Sequence, residues 1–297
     1  MLDLAITRIP AALLGGSSAF DPASISGLRS RLLDANTFTS PINSKYYLKD
    51  SSTTNTHLSR QGRCWLFDGV NDYGTKGSRL TSGTISQLSV CCWVKLTSAS
   101  GFTVLVSEYE TSTTNRSWLL AQSAHKLNVI LSTNGTNTGA TAKDYSSTTT
   151  LSTGVWYHVG FTWSAGTLKL FIDGAEDSVT KTQDPAIVSA FSSTSHLRLA
   201  CYDTTPVGFL SGSLRDVRCY STAKSAGEVT AIYNQSRTGS GVFDSTGLLA
   251  TYPCNEESGS TGYDISGNGN HLTLTNITQA TFHAADTGIL ANRNNAE

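Results

Sequence analysis

Alternating apolar and polar positions run through the middle of the chain and predict a series of strands. The apolar positions of the clearest example are Leu88, Val90, Cys92, Val94 and Leu96. A period of two is typical of a strand with one face in a core. The same period recurs over residues 155–163 and 168–172, which Ala165 and Gly166 would join as a hairpin. This alternation also predicts that Cys91 and Cys92 point to opposite faces.

Further short segments and one helix complete the pattern. Additional strands are expected at residues 102–108, 117–122, 126–132, 196–202 and 214–220. Ser225 with Glu228 three positions later is the signature of a capping box, which marks a helix start. Val229, Ile232 and Tyr233 then give that helix one apolar face. The chain is therefore predicted to be almost entirely β.

The order of these segments carries a family resemblance. The segments are WLFDGVNDY (65–73), the strand at 88–96, GVWYHVGFTW (154–163), LKLFIDG (168–174), GSLRDVRCY (212–220) and the helix ending near Tyr233. This order and spacing resembles the laminin-G-like jelly roll of the concanavalin A superfamily, over roughly residues 60 to 235. The resemblance implies an all-β, two-sheet antiparallel sandwich with one short helix. It implies little about function, because lectins, glycosidases, adhesion modules and virion proteins share this fold.

The predicted organisation is an apolar N-terminal arm, residues 1–22, followed by a single domain, residues 23–297. A C-terminal strand-turn-strand unit, residues 244–280, shares a pattern with the start of the chain: Asp264, Ser266, Asn268, His271 and Leu272 echo Asp50, Ser52, Thr54, His57 and Leu58. Chance similarity between polar turns is one explanation. Otherwise the C-terminal unit either completes the same sandwich or pairs with a neighbouring subunit.

Charge and cysteine content narrow the functional classes. Twenty-one basic residues balance 22 acidic ones for a net charge of −1, which gives no electrostatic reason to expect nucleic acid or an anionic membrane as partner. The six cysteines form no C-x-x-C pair and have no spacing typical of zinc ligands. Free thiols, in a protein made in a reducing compartment, are favoured over disulfides. Asp3 and the Arg8-Ile9-Pro10 run argue against a cleaved signal peptide.

Catalytic and metal-binding patterns are weak. Glu108 and Glu110 only approximate the paired carboxylates of a glycosidase, and the adjacent Glu256 and Glu257 would face opposite ways in a strand. A nucleophile motif is missing, so the chain is expected not to be an enzyme. Oxygen-rich turns could hold calcium; the candidate ligands are Asp264, Asn268, Asp68, Asn71 and Asp72. Such residues more often bond their own backbone in turns.

Three functional hypotheses remain. The first is a structural virion protein of a bacteriophage, a capsid decoration or tail-associated protein made in the host cytoplasm and displayed on the particle surface. Its partners would be other virion proteins or copies of itself, reached through the arm and the C-terminal unit. The second is a carbohydrate-binding adhesin module that recognises cell-surface glycans by exposed aromatic rings, with candidates Tyr109, Trp118, Tyr145 and Tyr202. The least favoured is a glycoside hydrolase.

Overall fold

A computed structural model describes residues 64–112, 114–238, 243–256 and 259–277. The predicted arm at 1–22 and the N-terminal copy of the repeated unit lie outside the described residues. Within the described part, sixteen strands and one helix form an antiparallel two-sheet sandwich, which confirms the predicted fold. No helix in these ranges is long and apolar enough to cross a membrane.

The two sheets contain seven and nine strands. The seven-stranded sheet runs β1 (Trp65–Asp68), β13 (Ser211–Tyr220), β3 (Gln87–Leu96), β8 (Trp156–Ser164), β9 (Thr167–Ile172) and β10 (Ala175–Asp177), with β14 (Leu248–Tyr252) also on β13. The nine-stranded sheet runs β11 (Val179–Gln183), β7 (Ala142–Thr150), β6 (Lys126–Gly135), β5 (Asn115–Ser123), β4 (Phe102–Glu110), β12 (Arg198–Leu199), β2 (Tyr73–Thr75), β16 (Leu272–Thr275) and β15 (Thr261–Gly262).

The core lies between the sheets and follows the predicted alternation. All five apolar positions of β3 belong to it, together with Val159, Phe161 and Trp163 of the neighbouring β8. Cys92 joins this core, whereas Cys91 packs on the other side of the sheet with Tyr220 and Ile232, as predicted. Fully burying one such side chain stabilises the fold by about 1.5–3 kcal/mol, so the inward rows dominate the energetics.

Two tight turns join the central strands of the seven-stranded sheet. Ala165 and Gly166, with φ of 41° and 104°, connect β8 to β9. Asp173 and Gly174, with φ of 52° and 79°, connect β9 to β10. Two successive positive φ values suit two-residue hairpins because their twist matches that of the strands. The predicted hairpin is therefore present.

The C-terminal unit pairs within its own chain. Strand β14 extends the row begun by β1 along the same side of β13, and β16 pairs with β2 in the other sheet. In the segment between β14 and β16, the carboxylate of Asp264 accepts hydrogen bonds from the backbone N–H groups of Thr251, Ser266 and Asn270. Of the two structural alternatives raised by the sequence, the structure shows completion of the same sandwich.

The helix α1 (Ala226–Thr238) begins with the predicted capping box. The Ser225 backbone N–H donates to the Glu228 carboxylate at 2.7 Å, and the Glu228 N–H donates to the Ser225 hydroxyl at 3.3 Å. The helix packs on the outer face of the seven-stranded sheet, where the indole Nε1 of Trp93 donates to Ser236 Oγ at 2.9 Å. The cap and the apolar face together explain why this segment is helical.

One local prediction was wrong, and strand β7 was missed. A strand was expected over residues 196–202, but only Arg198–Leu199 is extended because Ala200 (φ 66°) and Asp203 (φ 75°) bend the chain. Strand β7 was not predicted, since its sequence AKDYSSTTT is largely polar. It forms through backbone pairing with β6 on one side and β11 on the other.

Candidate functional site

A pocket of about 530 Å³ lies on the outer face of the nine-stranded sheet. Outward-facing residues of β4, β5 and β6 form its floor, and they make a small apolar cluster separate from the core between the sheets. The lining consists of Phe102, Tyr109, Thr111, Arg116, Leu119, Ile130, Thr136, Asn137, Thr138 and Tyr202. Its size and aromatic lining are those of a small-ligand site.

Three aromatic rings form one wall of the pocket. The Tyr202 ring meets Tyr109 edge-on and Phe102 edge-on, with centroids 6.1 Å apart in both pairs. Tyr202 and Phe102 are half-buried, so part of each ring faces solvent. Burial raises the pKa of Tyr109 to about 12 and also raises the pKa of Tyr202, so both phenols are protonated at neutral pH and can donate hydrogen bonds.

Arg116 stands beside the aromatic wall. Its guanidinium lies over the Tyr109 ring, 5.9 Å from the centroid, and donates to the carbonyl oxygens of Thr111 at 3.0 Å and Gly135 at 3.2 Å. Gly135 has φ of 88°, and a Cβ there would lie 2.1 Å from the carbonyl oxygen of Thr114. The turn that orients Arg116 therefore requires glycine.

Asp203 holds the segment that carries Tyr202. Its carboxylate accepts hydrogen bonds from the Thr111 backbone N–H at 2.9 Å, from the Thr111 hydroxyl, and from the Thr204 N–H at 2.7 Å. Burial favours a higher pKa for Asp203, but these hydrogen bonds outweigh it and lower the pKa to about 2. On the other side of the ring, a Cβ at Gly208 would lie 2.7 Å from Cε1 of Tyr202. The Tyr202 ring is thus fixed from both ends of its loop.

The four predicted aromatic candidates separate into two pairs. Tyr109 and Tyr202 meet in the pocket, but the expectation of an exposed ring was wrong for Tyr109, which is only 4% exposed. The expectation that Trp118 and Tyr145 lie at exposed edges was wrong, because both pack in the core between the sheets. The Trp118 indole donates to Glu108 Oε2 at 3.1 Å, and the Tyr145 hydroxyl donates to Asp184.

Sequence reasoning did not identify Phe102, Arg116 or Asn137. Arg116 is the cross-strand partner of Tyr109 in the β4–β5 pair, and that register was the signal which could have revealed it. Phe102 starts β4, and Asn137 belongs to the turn after β6. Their meeting depends on the pairing of β4 with β5 and on the position of the turn after β6.

The carboxylates considered for glycoside hydrolysis serve structural contacts. Glu108 is fully buried and accepts hydrogen bonds from Leu80, Thr81 and Trp118; burial raises its pKa. Glu110 forms an ion pair with Arg198 at 3.1 Å. Glu256 is buried, which raises its pKa to about 7, and Glu257 lies outside the described residues. Among the described residues, the pocket lining contains no carboxylate.

The calcium candidates form two turns with distinct hydrogen bonds. In the first, Asp68 Oδ1 accepts from the N–H groups of Val70 and Asn71, and Asp72 Oδ2 accepts from the Asp68 N–H. In the second, Asn268 donates through its amide to the carbonyls of Leu248 and Leu249, beside the backbone contacts of Asp264 described above. Backbone donors thus already occupy these carboxylates, and calcium binding at either turn stays a prediction.

A family model described as the concanavalin A-like lectin/glucanases superfamily matches residues 68–230, more than half of the chain. The chain belongs to this family. The match confirms the laminin-G-like resemblance, and the pocket lies within the matched residues. No curated protein sequence matches the chain.

The chain is also similar to solved structures. A protein of Bacteroides ovatus ATCC 8483, provisionally described as carbohydrate-binding, aligns with a TM-score of 0.55 at 16% identity and covers 73% of this chain. This chain spans 59% of that protein. A heptameric SAP-like pentraxin from Limulus polyphemus aligns with a TM-score of 0.46 at 17% identity, over 58% of this chain and 82% of its own. At 16% identity, the similarity to the Bacteroides ovatus protein establishes the fold alone.

Proposed function

We propose that this domain is a non-enzymatic carbohydrate-binding module and that the pocket bounded by Phe102, Tyr109 and Tyr202 is its glycan site. The observation that carries the proposal is the combination of aromatic rings with neutral and cationic donors in one concave site. A sugar ring has an apolar C–H face and a rim of hydroxyl groups. The half-buried rings would contact the apolar face, while side chains such as Arg116 and Asn137 would bond the hydroxyls.

The chemistry of the pocket supports binding rather than hydrolysis. Retaining and inverting glycosidases hold two carboxyl groups across the scissile bond, roughly 5 to 9.5 Å apart. The lining described here offers hydroxyls, an amide and a guanidinium, and Glu108 is buried on the core side of β4 against Trp118. The lectin-like fold shared with the Bacteroides ovatus protein is compatible with the same proposal.

A glycan array tests this proposal directly. The wild-type domain is expected to bind a defined subset of glycans, and Tyr202→Ala to weaken that binding about tenfold or more, because a ring contact at the centre of a site is lost. Tyr202→Phe is the matched control and should retain the stacking. A wild-type protein that binds no glycan, or a Tyr202→Ala variant that binds as wild type, would contradict the assignment.

We also propose the setting predicted from the sequence, in which a viral particle displays the module through residues 1–22. The observation in its favour is that Cys91, Cys92, Cys201, Cys219 and Cys254 are buried and form no disulfides, as suits a domain folded in a reducing cytoplasm. Density-gradient sedimentation of source lysate with mass spectrometry checks it. Co-sedimentation with a megadalton particle at fixed stoichiometry is expected, whereas recovery only at the top of the gradient would refute it.

A further inference from the structure

Beside the pocket, a second pair of aromatic rings lies on the nine-stranded sheet. Tyr73 of β2 and Phe209, just before β13, have ring centroids 6.3 Å apart, and both rings are half-buried. Neither ring is among the side chains that pack against the core between the sheets. The two rings are called the second platform below.

The second platform lies on the same face of the sheet as the pocket. A Cβ placed on Gly74 would contact Leu199, Leu272 and Leu274, all of which belong to the core. Gly74 therefore points inward, and its neighbour Tyr73 must point outward because successive residues of a strand alternate. The Tyr202 ring is also outside, where it packs against the pocket floor.

The second platform is continuous with the aromatic wall. Phe209 directly follows Gly208, where a Cβ would lie 2.7 Å from Cε1 of the Tyr202 ring, and the Gly208 carbonyl accepts a hydrogen bond from the Val104 N–H at 2.9 Å. Since consecutive Cα atoms are about 3.8 Å apart, Phe209 starts within one residue of the pocket wall. The two sets of rings thus form adjacent parts of one surface.

The surroundings of the second platform are rich in hydroxyl groups, and the charge of Arg198, the cross-strand partner of Thr75 on β12, is balanced by Glu110 at 3.1 Å. Thr75 and Thr273 are direct cross-strand partners, and Thr275 is the partner of Tyr73, so all three hydroxyls share the outward face. At the end of the strand, the exposed Asn276 donates its amide to the carbonyl of Asn71 at 2.9 Å. Aromatic faces bordered by neutral hydroxyls and an amide suit another neutral sugar ring.

We propose that the second platform is a further glycan subsite, so that the module binds a chain of at least two neutral sugar units that runs from the pocket across β12 and β2. This inference rests on the proposed function of the pocket. The inference specifies the ligand as an oligosaccharide rather than a single sugar. It also identifies Tyr73 and Phe209 as the residues that set the preferred length of the sugar chain.

Titration calorimetry with chain-length series tests the inference. The probes are β-linked glucose, xylose and N-acetylglucosamine series, each from monosaccharide to hexasaccharide. Wild-type affinity is expected to rise about tenfold from the monosaccharide to the longer members, as one added aromatic contact would give. Phe209→Ala should abolish this rise and leave monosaccharide affinity unchanged, whereas Tyr202→Ala should weaken every member.

Further variants guard against loss of folding. Tyr73→Ser should reproduce the effect of Phe209→Ala, while Trp156→Ala, a half-buried ring on the other sheet, should keep the length dependence. Thermal unfolding verifies that each variant is folded. Equal wild-type affinity for all lengths, or a rise that survives both platform substitutions, would overturn the second subsite alone. Failure of the wild type to bind any of these sugars or any arrayed glycan would overturn the pocket assignment as well.

Discussion

The outer face of the seven-stranded sheet is covered by helix α1, whereas the outer face of the nine-stranded sheet carries the pocket with no helix over it among the described residues. Under the helix, Arg218 donates to the Asp216 carboxylate at 2.9 and 2.6 Å and to Gln235 at 2.6 Å. The His158 ring packs against both Trp93 and Tyr233, which also stack on each other. Polar groups on this face therefore contact the helix and hold it on the sheet.

The open face distributes its side chains differently. Tyr202, Phe102, Tyr73 and Phe209 remain half-buried, and their partners are mainly other aromatic rings. Buried ion pairs hold one arrangement firmly because an uncompensated charge in the interior is very unfavourable. Half-exposed rings instead keep surface for a ligand. The comparison indicates that one sheet carries a structural outer face, while the other carries the proposed binding face.

The largest expected effect comes from breaking the ion pair under the helix. Arg218→Ala would leave the buried Asp216 carboxylate without its cation, and we expect the free energy of unfolding to fall by about 3–5 kcal/mol. Urea unfolding measures it. The matched control is Lys169→Ala, which removes a 2.8 Å ion pair whose side chains are both 44% exposed; such surface pairs contribute about 0–1 kcal/mol. Equal losses in both variants would show that burial does not strengthen the Arg218–Asp216 pair and would contradict the prediction.

The second prediction concerns the acid sensitivity of the helix-covered face. Burial lowers the pKa of His158 to about 3, with Asp216 opposing and Arg218 adding to the shift. The unfolded chain therefore binds a proton between pH 6.5 and 3 that the folded protein does not, so stability is lost as pH falls through this window. At pH 4 this difference in protonation lowers the free energy of unfolding by about 3 kcal/mol relative to neutral pH. His158→Gln should flatten the dependence of unfolding free energy on pH between 6.5 and 4. An unchanged slope would argue against a neutral buried histidine.

The smallest effect is expected on the open face and appears in binding rather than stability. Gly208→Ala would place a methyl group 2.7 Å from the Tyr202 ring, at a residue with φ of 66°. Displacement of the ring should lower affinity for an array-identified glycan about tenfold, roughly 1.4 kcal/mol. Gly83→Ala is the matched control, because Gly83 also has positive φ (70°) but open space around its Cβ. Similar losses of affinity in both variants would implicate backbone strain instead of the ring.

Most of the central strands and the helix were predictable from the sequence because they depend on local periodicity, and the family resemblance of their order implied the sandwich. Alternation placed the apolar row of β3 in the core, and the capping box marked the start of α1. The site was only half predictable. Arg116 and Trp118 have the same parity in β5, which would place both on one face, but the pairing shifts between them. Arg116 therefore faces the pocket, while Trp118 faces the core.

Residue types within short segments were enough to predict most of the central strands and the hairpin turns, and the order of those segments along the chain was enough to suggest the family. Which aromatic rings meet depends instead on contacts between strands and loops that are distant in the chain. A bulge depends on how two strands pair, and the bend at Ala200 and Asp203 that brings Tyr202 to Tyr109 is held by hydrogen bonds to a distant loop. Such contacts join residues far apart in the chain, so no local pattern specifies them.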